Sequence, residues 1–322
     1  MLSEFDLIKQ YFQRDLPGRA TLGIGDDCAL LTPTAGAQLA ISTDMLVENR
    51  HFFAGADPRC LGHKALAVNL SDLAAMGATP LAFTLALAMP KADPAWLEGF
   101  SRGLFELADL YGCELIGGDT TRGPLNICIT VFGEIAPGQA LKRSGAVVGD
   151  DIWVSGTLGD ARLTLAGLRD ELPIDQDSLA LAAPRMHLPD PRIALGQVLA
   201  QQGLAHAALD ISDGFVGDLG HILAASKAGA RVNVDALPAG PALASQETAV
   251  RRQFCAQGGD DYELCFSADP GQRDAIMAAA AACGTPVTRV GIIEAQPGLR
   301  LVDGAGLAVD LDAAGFDHFI LP

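Results

Sequence analysis

Four Asp-Pro dipeptides set the layout of this 322-residue chain. Asp57-Pro58, Asp93-Pro94, Asp190-Pro191 and Asp269-Pro270 each put a capping carboxylate before a proline, whose missing N–H costs nothing in a first helical turn. Apolar residues at helical spacing follow, and Gly77, Gly112, Gly203 and Gly284 close the four segments. Residues 4–14 form a further short amphipathic helix with Phe5, Ile8 and Phe12 on one side. Between the helices, residues 38–43 (ending at Asp44), 81–89, 127–135 and 151–154 read as strands, and Leu115-Ile116 as a strand turning at Gly117-Gly118-Asp119. Helices interleaved with strands imply layered α/β structure. The four Asp-Pro aspartates are assigned to capping and excluded from chemistry.

Composition agrees with layers. Hydrophobic residues make up 49% and aromatics only 6%, so Ala, Leu, Val and Ile must build the core. Gly, Pro and polar residues cluster over 137–149, which divides the chain into a domain of 1–140 and one of 141–322. Residues 236–257 and 294–315 read as rich in loops. The longest apolar stretch, 81–89, is too short for a membrane span, and the start has no positive region followed by an apolar segment. Seven cysteines, an odd number without a C-x-x-C, indicate reduced thiols of a cytoplasmic protein. A net charge of −17 argues against nucleic acid or an anionic membrane as partner.

Of the 39 acidic residues, 29 are aspartates, and many stand at corners beside apolar runs. These are Gly23-Ile24-Gly25-Asp26-Asp27, Ser42-Thr43-Asp44, Asn69-Leu70-Ser71-Asp72, Gly117-Gly118-Asp119-Thr120-Thr121, Asp210-Ile211-Ser212-Asp213 and Gly258-Gly259-Asp260-Asp261. Aspartate serves turns, caps and rigid ligation of hard cations. Asp72 lies inside a helix, where aspartate has poor propensity, and shares a face with Asn69 three residues earlier. Asp213, before Gly214-Phe215, is open between capping the next helix and holding an ion.

Several chemistries lack their signature. There is no G-x-x-x-x-G-K-[ST], no dinucleotide fingerprint (Cys28 stands where it needs Gly), no G-x-S-x-G and no H-E-x-x-H. Abundant carboxylates beside hydroxyls and glycines, with only five lysines, suit hydrated magnesium, which takes one or two carboxylates plus substrate phosphates. Asp27, Asp44, Asp72, Asp119, Asp210 and Asp213 fit that role, with Ser42, Thr43, Ser212 and the Gly117-Gly118 backbone completing a phosphate cradle.

Together the acidic corners, the helix Lys64-Ala65-Leu66-Ala67-Val68-Asn69-Leu70-Ser71-Asp72-Leu73-Ala74-Ala75-Met76-Gly77, Arg143-Ser144-Gly145 and Gly258-Gly259-Asp260-Asp261-Tyr262-Glu263 resemble, in order, the thiamine-monophosphate kinase family. The resemblance implies a two-domain fold of α/β and α+β type like that of aminoimidazole ribonucleotide synthetase. In it, an N-terminal domain forms a β-barrel across a homodimer. It implies ATP-dependent phosphorylation of thiamine monophosphate to thiamine diphosphate. Carried onto this sequence, it implies magnesium positions at Asp27, Ser42, Thr43, Asp44, Asp72, Asp119, Asp210 and Asp213. It implies ATP contacts at Gly118, Asp119, Arg143 and Ser212, and thiamine phosphate contacts at His51, Glu263 and Phe319. Read without the family, His51 before Phe52-Phe53 is a packing histidine and Phe319 a tail anchor. Arg143, beside Lys142 in a polar loop, suits phosphate unaided. Other classes stay open: a metal-dependent phosphohydrolase using the same carboxylates, and a non-catalytic ion or nucleotide sensor.

Overall fold

A computed structural model describes residues 3–14 and 18–311. The chain divides into two compact units, Met1–Leu73 with Ala78–Gly138, and Ala74–Gly77 with Gln139–Pro322.

The first unit begins with helix α1 (Glu4–Tyr11), which Ser3 and Asp6 open as a reciprocal capping box, and the short pair β1 (Ala20–Leu22) and β2 (Leu30–Leu31). Then come β3 (Gln38–Val47), α2 (Pro58–Met76), β4 (Thr79–Met89), α3 (Pro94–Tyr111), β5 (Glu114–Arg122) and β6 (Asn126–Ile135). The four longer strands form one sheet in the order β3-β6-β4-β5. Strands β4 and β5 are parallel, joined through α3, and the other pairs are antiparallel. Asp57 and Asp93 cap as the sequence predicts: Asp57 accepts from the Cys60 N–H (2.9 Å) and Asp93 from the Ala95 N–H (3.1 Å). Helices α2 and α3 cross in direct backbone contact. A methyl group on Gly62 would collide with the Phe100 carbonyl, and one on Gly103 with the Arg59 carbonyl.

Alternation along the strands separates two faces. Ile127, Ile129, Val131 and Ile135 of β6 are buried and alternate with partly open residues. On β3 the outward set is Leu39, Ile41, Thr43 and Met45, and its three apolar members are 45%, 58% and 51% exposed. Two expectations change here. Strand β3 does not end at Asp44 but runs on to Val47, and β5 passes through Gly117-Gly118-Asp119 without turning. Aspartate is a poor strand former, so the sequence pattern breaks there. The ladders nonetheless continue, Asp44 opposite Ile129 and Asp119 opposite Ala86. No closed barrel forms among the described residues; the sheet is open.

The second unit contains β7 (Asp151–Ser155), α4 (Asp160–Leu168), α5 (Gln176–His187), α6 (Ile193–Gln201), β8 (Ala207–Ile211), α7 (Phe215–Ser226), β9 (Gly229–Asn233), α8 (Thr248–Gln257), β10 (Glu263–Ala268), α9 (Arg273–Ala282), β11 (Val287–Glu294) and β12 (Gly298–Val302). Its sheet has the order β12-β9-β11-β7-β10-β8, antiparallel except for β12 beside β9. Strands β7, β8 and β10 are buried along their whole length, and residues such as Ile152, Leu209, Phe215 and Leu219 fill the core. Here too the sequence reading needs correction. Residues expected to be loop-rich contain α8 and β12. Asp190 does not cap α6: it is held by the Arg192 guanidinium at 2.6 Å, and the helix begins at Ile193 without a side-chain cap. Asp269 does cap, but what it opens is a single 3-10 turn ahead of α9. All four closing glycines adopt positive φ, between 60° and 72°.

Candidate functional site

In the first unit the acidic residues of β3 and α2 meet. Strand β3 is a sheet edge, so its outward N–H groups have no strand partner. Helix α2 supplies one: Asn69 Oδ1 accepts from the Asp44 N–H at 3.0 Å, while Asn69 Nδ2 donates to the Ala65 carbonyl at 2.9 Å. One helical turn on, Asp72 Oδ2 accepts from Ser42 Oγ at 2.5 Å. Ser42, Asp44 and Asp72 are all half-buried. The shared helical face expected of Asn69 and Asp72 is thus the face that meets β3. Thr43, between Ser42 and Asp44, points to the other side and bonds Thr130 through their hydroxyls at 2.8 Å.

Asp119 stands elsewhere. The ladders align Met45, Cys128, Ala86 and Asp119 in one row, and Asp44, Ile129, Leu85 and Gly118 in the next. Neighbours across a sheet share a face and successive rows alternate. Asp119 therefore lies on the bare apolar side, opposite the Asp44 and Asp72 side. Asp27 is exposed in the first turn, where its N–H donates to Asp26 Oδ1 at 2.9 Å. No three His, Cys, Asp or Glu side chains gather tightly enough to hold a metal ion by themselves among the described residues. The donors that do meet are hard oxygens, the Asp72 carboxylate and the Ser42 hydroxyl, and strand alternation puts Asp44 on the same side of β3. That set fits a cation that keeps water and takes phosphate oxygens, as magnesium does, and does not fit zinc.

His51 follows β3 and is half-buried. Its Nδ1 accepts from the Val47 N–H at 2.9 Å, so in the neutral ring the proton is on Nε2.

The second unit carries the turn after β8. Asp210 is buried at the strand end, Ser212 is half-buried and Asp213 exposed. The N-cap of α7 is Gly214, which brings no side-chain cap, and not Asp213. Asp218, in the first turn of α7, does that work instead. Its Oδ2 accepts from the N–H groups of Ser212, Asp213 and Gly214 at 3.0, 3.1 and 3.1 Å. Burial pushes its carboxyl up to about 6, against the pull of those donors. The sequence reading missed Asp218; an acid in the first helical turn after a glycine-containing acidic corner was the available signal. At the far end of α7, Ser226 Oγ donates to the Arg143 carbonyl (3.2 Å) and accepts from the N–H groups of Gly145 (3.2 Å) and Ala146 (3.1 Å). One helix therefore touches two of the three segments expected to meet nucleotide, those of Ser212 and Arg143, with Arg143 exposed.

Glu263 opens β10 and has no exposed surface. It accepts from Ser155 Oγ at 2.6 Å, from Arg185 Nη2 at 2.6 Å, and from Arg192 through Nε (2.7 Å) and Nη2 (2.6 Å). Arg185 also donates to the Asp261 carbonyl at 2.9 Å. Asp261 is fully buried and accepts from the Gly159 N–H, and burial holds its carboxyl well above the usual range. Asp260 N donates to the Ser212 carbonyl and Tyr262 N to the Ile211 carbonyl, both at 2.8 Å, so the 258–262 loop braces the β8–α7 turn. Phe319 lies outside the described residues.

Comparison with known proteins follows this geometry. Residues 25–135 match the N-terminal domain, and residues 147–304 the C-terminal domain, of AIR synthase related proteins. The chain is 48% identical to the thiamine-monophosphate kinase of Salmonella typhimurium over 99% of both chains. The crystal structure of thiamine-monophosphate kinase from Stenotrophomonas maltophilia superimposes with a TM-score of 0.86 at 44% identity, covering 96% of this chain and 98% of that one. A solved structure described as AaThiL complexed with AMPPCP and TMP gives a TM-score of 0.76 at 27% identity over 89% of each chain.

Proposed function

From the premise that this chain belongs to the thiamine-monophosphate kinase family of AIR synthase related proteins, we propose that it transfers the γ-phosphoryl group of ATP directly to thiamine monophosphate, giving thiamine diphosphate and ADP. The observation that carries this reading is the 48% identity sustained over 99% of both chains. The relative solved with an ATP analogue and TMP supports the pair of substrates.

The acceptor is itself a phosphate, whose second pKa near 6 leaves it mostly dianionic at neutral pH, so no general base is required. The task is to bring two anions into line and screen the charge that develops between them. Magnesium, when bound, supplies that screening and orients the phosphate oxygens. Asp44, Asp72 and Ser42 in the first unit, and Asp210, Ser212 and Asp213 in the second, are the oxygen donors we assign to it, with Asp27, Thr43 and Asp119 as further positions. Gly118 and Arg143 are assigned to the nucleotide. His51, Glu263 and Phe319 are the positions we assign to thiamine phosphate.

A homodimer belongs to the same proposal, with the N-terminal sheet closing into a barrel against a second copy. Leu39, Ile41 and Met45 leave an apolar face that water would otherwise cover. Asp119 shares that face, so pairing there would bring it up to the partner's surface. We place the enzyme in the cytoplasm: all seven cysteines are free, and among the described residues no helix is long and apolar enough to cross a membrane.

The test is product analysis with ATP and magnesium. ADP and thiamine diphosphate appear only when thiamine monophosphate is present, and not with water alone; ATP hydrolysis independent of the acceptor would refute the reading. Asp44→Asn, Asp72→Asn and Asp213→Asn each lower turnover by roughly two orders of magnitude or more with the fold intact. Near-normal turnover of all three at saturating magnesium would remove the metal assignment.

A further inference from the structure

The turn Ser212-Asp213-Gly214 joins a buried strand to a helix, and its three successive N–H groups converge on one atom, Oδ2 of Asp218. Asp218 is 5% exposed. The donor directions of three adjacent peptides are therefore set by one side chain that does not itself face solvent. On the other side of the turn, the Ser212 carbonyl accepts from Asp260 N and the Ile211 carbonyl from Tyr262 N.

We propose that Asp218 is a positioning residue for phosphoryl transfer: by gathering these N–H groups on one oxygen it fixes the direction in which Asp210, Ser212 and Asp213 present their oxygens to the cation that accompanies the substrate phosphates. This rests on the reading of that turn given above. Asp218 is not a ligand in this scheme and touches neither substrate. Its effect runs entirely through the backbone of the turn.

A purely structural anchoring role has a comparator in the same unit. Asp160, 1% exposed and in the first turn of α4, accepts from the Leu243 N–H at 2.8 Å and the Ala242 N–H at 3.5 Å. It anchors backbone elsewhere in the unit. Loss of either carboxylate removes hydrogen bonds to a charged acceptor, so both substitutions lower thermal stability. Only Asp218 is expected to control how the nucleotide is bound with magnesium.

The experiment measures affinity for a non-hydrolysable ATP analogue, with magnesium and with a chelator, in the full chain and in Asp218→Ala, Asp218→Asn and Asp160→Ala. In Asp218→Ala the gain in affinity that magnesium confers falls by about tenfold or more, the equivalent of one hydrogen bond to a charged group. Affinity without magnesium stays within about twofold of the parent. Asp218→Asn, which keeps one acceptor oxygen without the charge, recovers only part of the loss, and Asp160→Ala retains the magnesium-dependent gain despite a lowered melting point. An undiminished gain in Asp218→Ala, or an equal loss in Asp160→Ala, overturns the inference.

Amide hydrogen exchange supplies a readout independent of binding. In Asp218→Asn the amides of residues 212–214 exchange about fivefold faster or more while those of β8 do not change. Unaltered exchange at 212–214 refutes the role even if Asp218→Ala fails to fold. If the parent protein shows no magnesium-dependent gain at all, the assignment of the turn to phosphate fails, and the exchange measurement still decides whether Asp218 sets the turn.

Discussion

Replacing Glu263 separates two roles for one carboxylate. The family resemblance makes it a contact to thiamine phosphate, whereas the structure places it in a buried cluster with Ser155, Arg185 and Arg192. Glu263 is 0% exposed, and the side chains of Arg185 and Arg192 are 19% and 13% exposed. Glu263→Ala removes the ion-pair partner of Arg185 and leaves Arg192 with Asp190 alone in a poorly solvated site, a loss of about 3–5 kcal/mol. Glu263→Gln keeps the shape and one acceptor but removes the charge, so its loss lies toward the lower end of that range. For a unit of this size each kcal/mol shifts the midpoint by roughly 2–4 °C, so Glu263→Ala melts roughly 6–20 °C below the parent. Scanning calorimetry with and without substrates, alongside the KM for thiamine phosphate, reads both quantities. If Glu263→Gln melts with the parent while its KM rises, the cluster is not a structural brace and the argument from burial is refuted. If stability falls first and KM follows through the loop that Arg185 ties to Asp261, the brace is confirmed.

Two other outcomes follow from the same structure. Gly103→Ala, in α3, gains helix propensity of about 1 kcal/mol but drives a methyl group into the Arg59 carbonyl of α2, so it is destabilised by about 1–3 kcal/mol in urea unfolding; an equal or more stable variant would refute the close-packing argument. Asp235 accepts both arms of Arg252 (2.7 and 2.8 Å) and the Gly304 N–H (2.9 Å), which hold its carboxyl down to about 2. Its contribution is therefore present above the ordinary value of 3.8 and is lost as pH falls from there through about 2. Denaturant melts of Asp235→Asn should run below the parent by a constant margin near neutral pH and converge with it in that acid window; a margin unchanged down to pH 2 would contradict the assignment.

Much of the layout was legible because its signals are local. Asp57 and Asp93 cap as their Asp-Pro dipeptides announce, and the closing glycines all take left-handed backbone. Asp190 was misread because the competing force is not local. Arg192 holds it, and the rest of that guanidinium is committed to Glu263, 71 residues away in sequence. Strands β3 and β5 were cut short at Asp44 and Asp119 for a related reason. Strand propensity reflects the surface on which a residue lands, and only the folded sheet shows that Asp44 sits beside α2. The Asn69–Asp72 face was readable from helical spacing alone, yet its target was not, since nothing in the spacing says which strand edge the helix covers. Asp218 was overlooked for the opposite reason, since its signal is local and weak. Next to six more conspicuous acidic corners, an acid in a first helical turn reads as a local helix feature and does not say that it gathers the backbone of one of them.

The two faces of the N-terminal sheet sharpen what the acidic corners mean. An alternating strand cannot send Asp44 and the row of Asp119 to the same side, so these aspartates cannot join in one site within a single unit. The side of Asp44 and Asp72 is half-covered by α2 and organised by hydrogen bonds, while the side of Asp119 is largely bare, with apolar Leu39, Ile41 and Met45 around the Thr43–Thr130 pair. A lone carboxylate at the margin of an apolar face is poorly placed unless something charged or hydrated meets it there. The proposed pairing of two copies through this face resolves both difficulties at once: it covers Leu39, Ile41 and Met45, and it lets Asp119 serve a site made with the partner. A chain held monomeric by charged substitutions at Ile41 and Met45 would then lose the contribution of Asp119 but keep the Ser42–Asp72 arrangement, so Asp119→Asn would add no further loss of turnover in that background. If Asp119→Asn still cost activity in the monomer, the site would lie within one chain and the face would need another explanation.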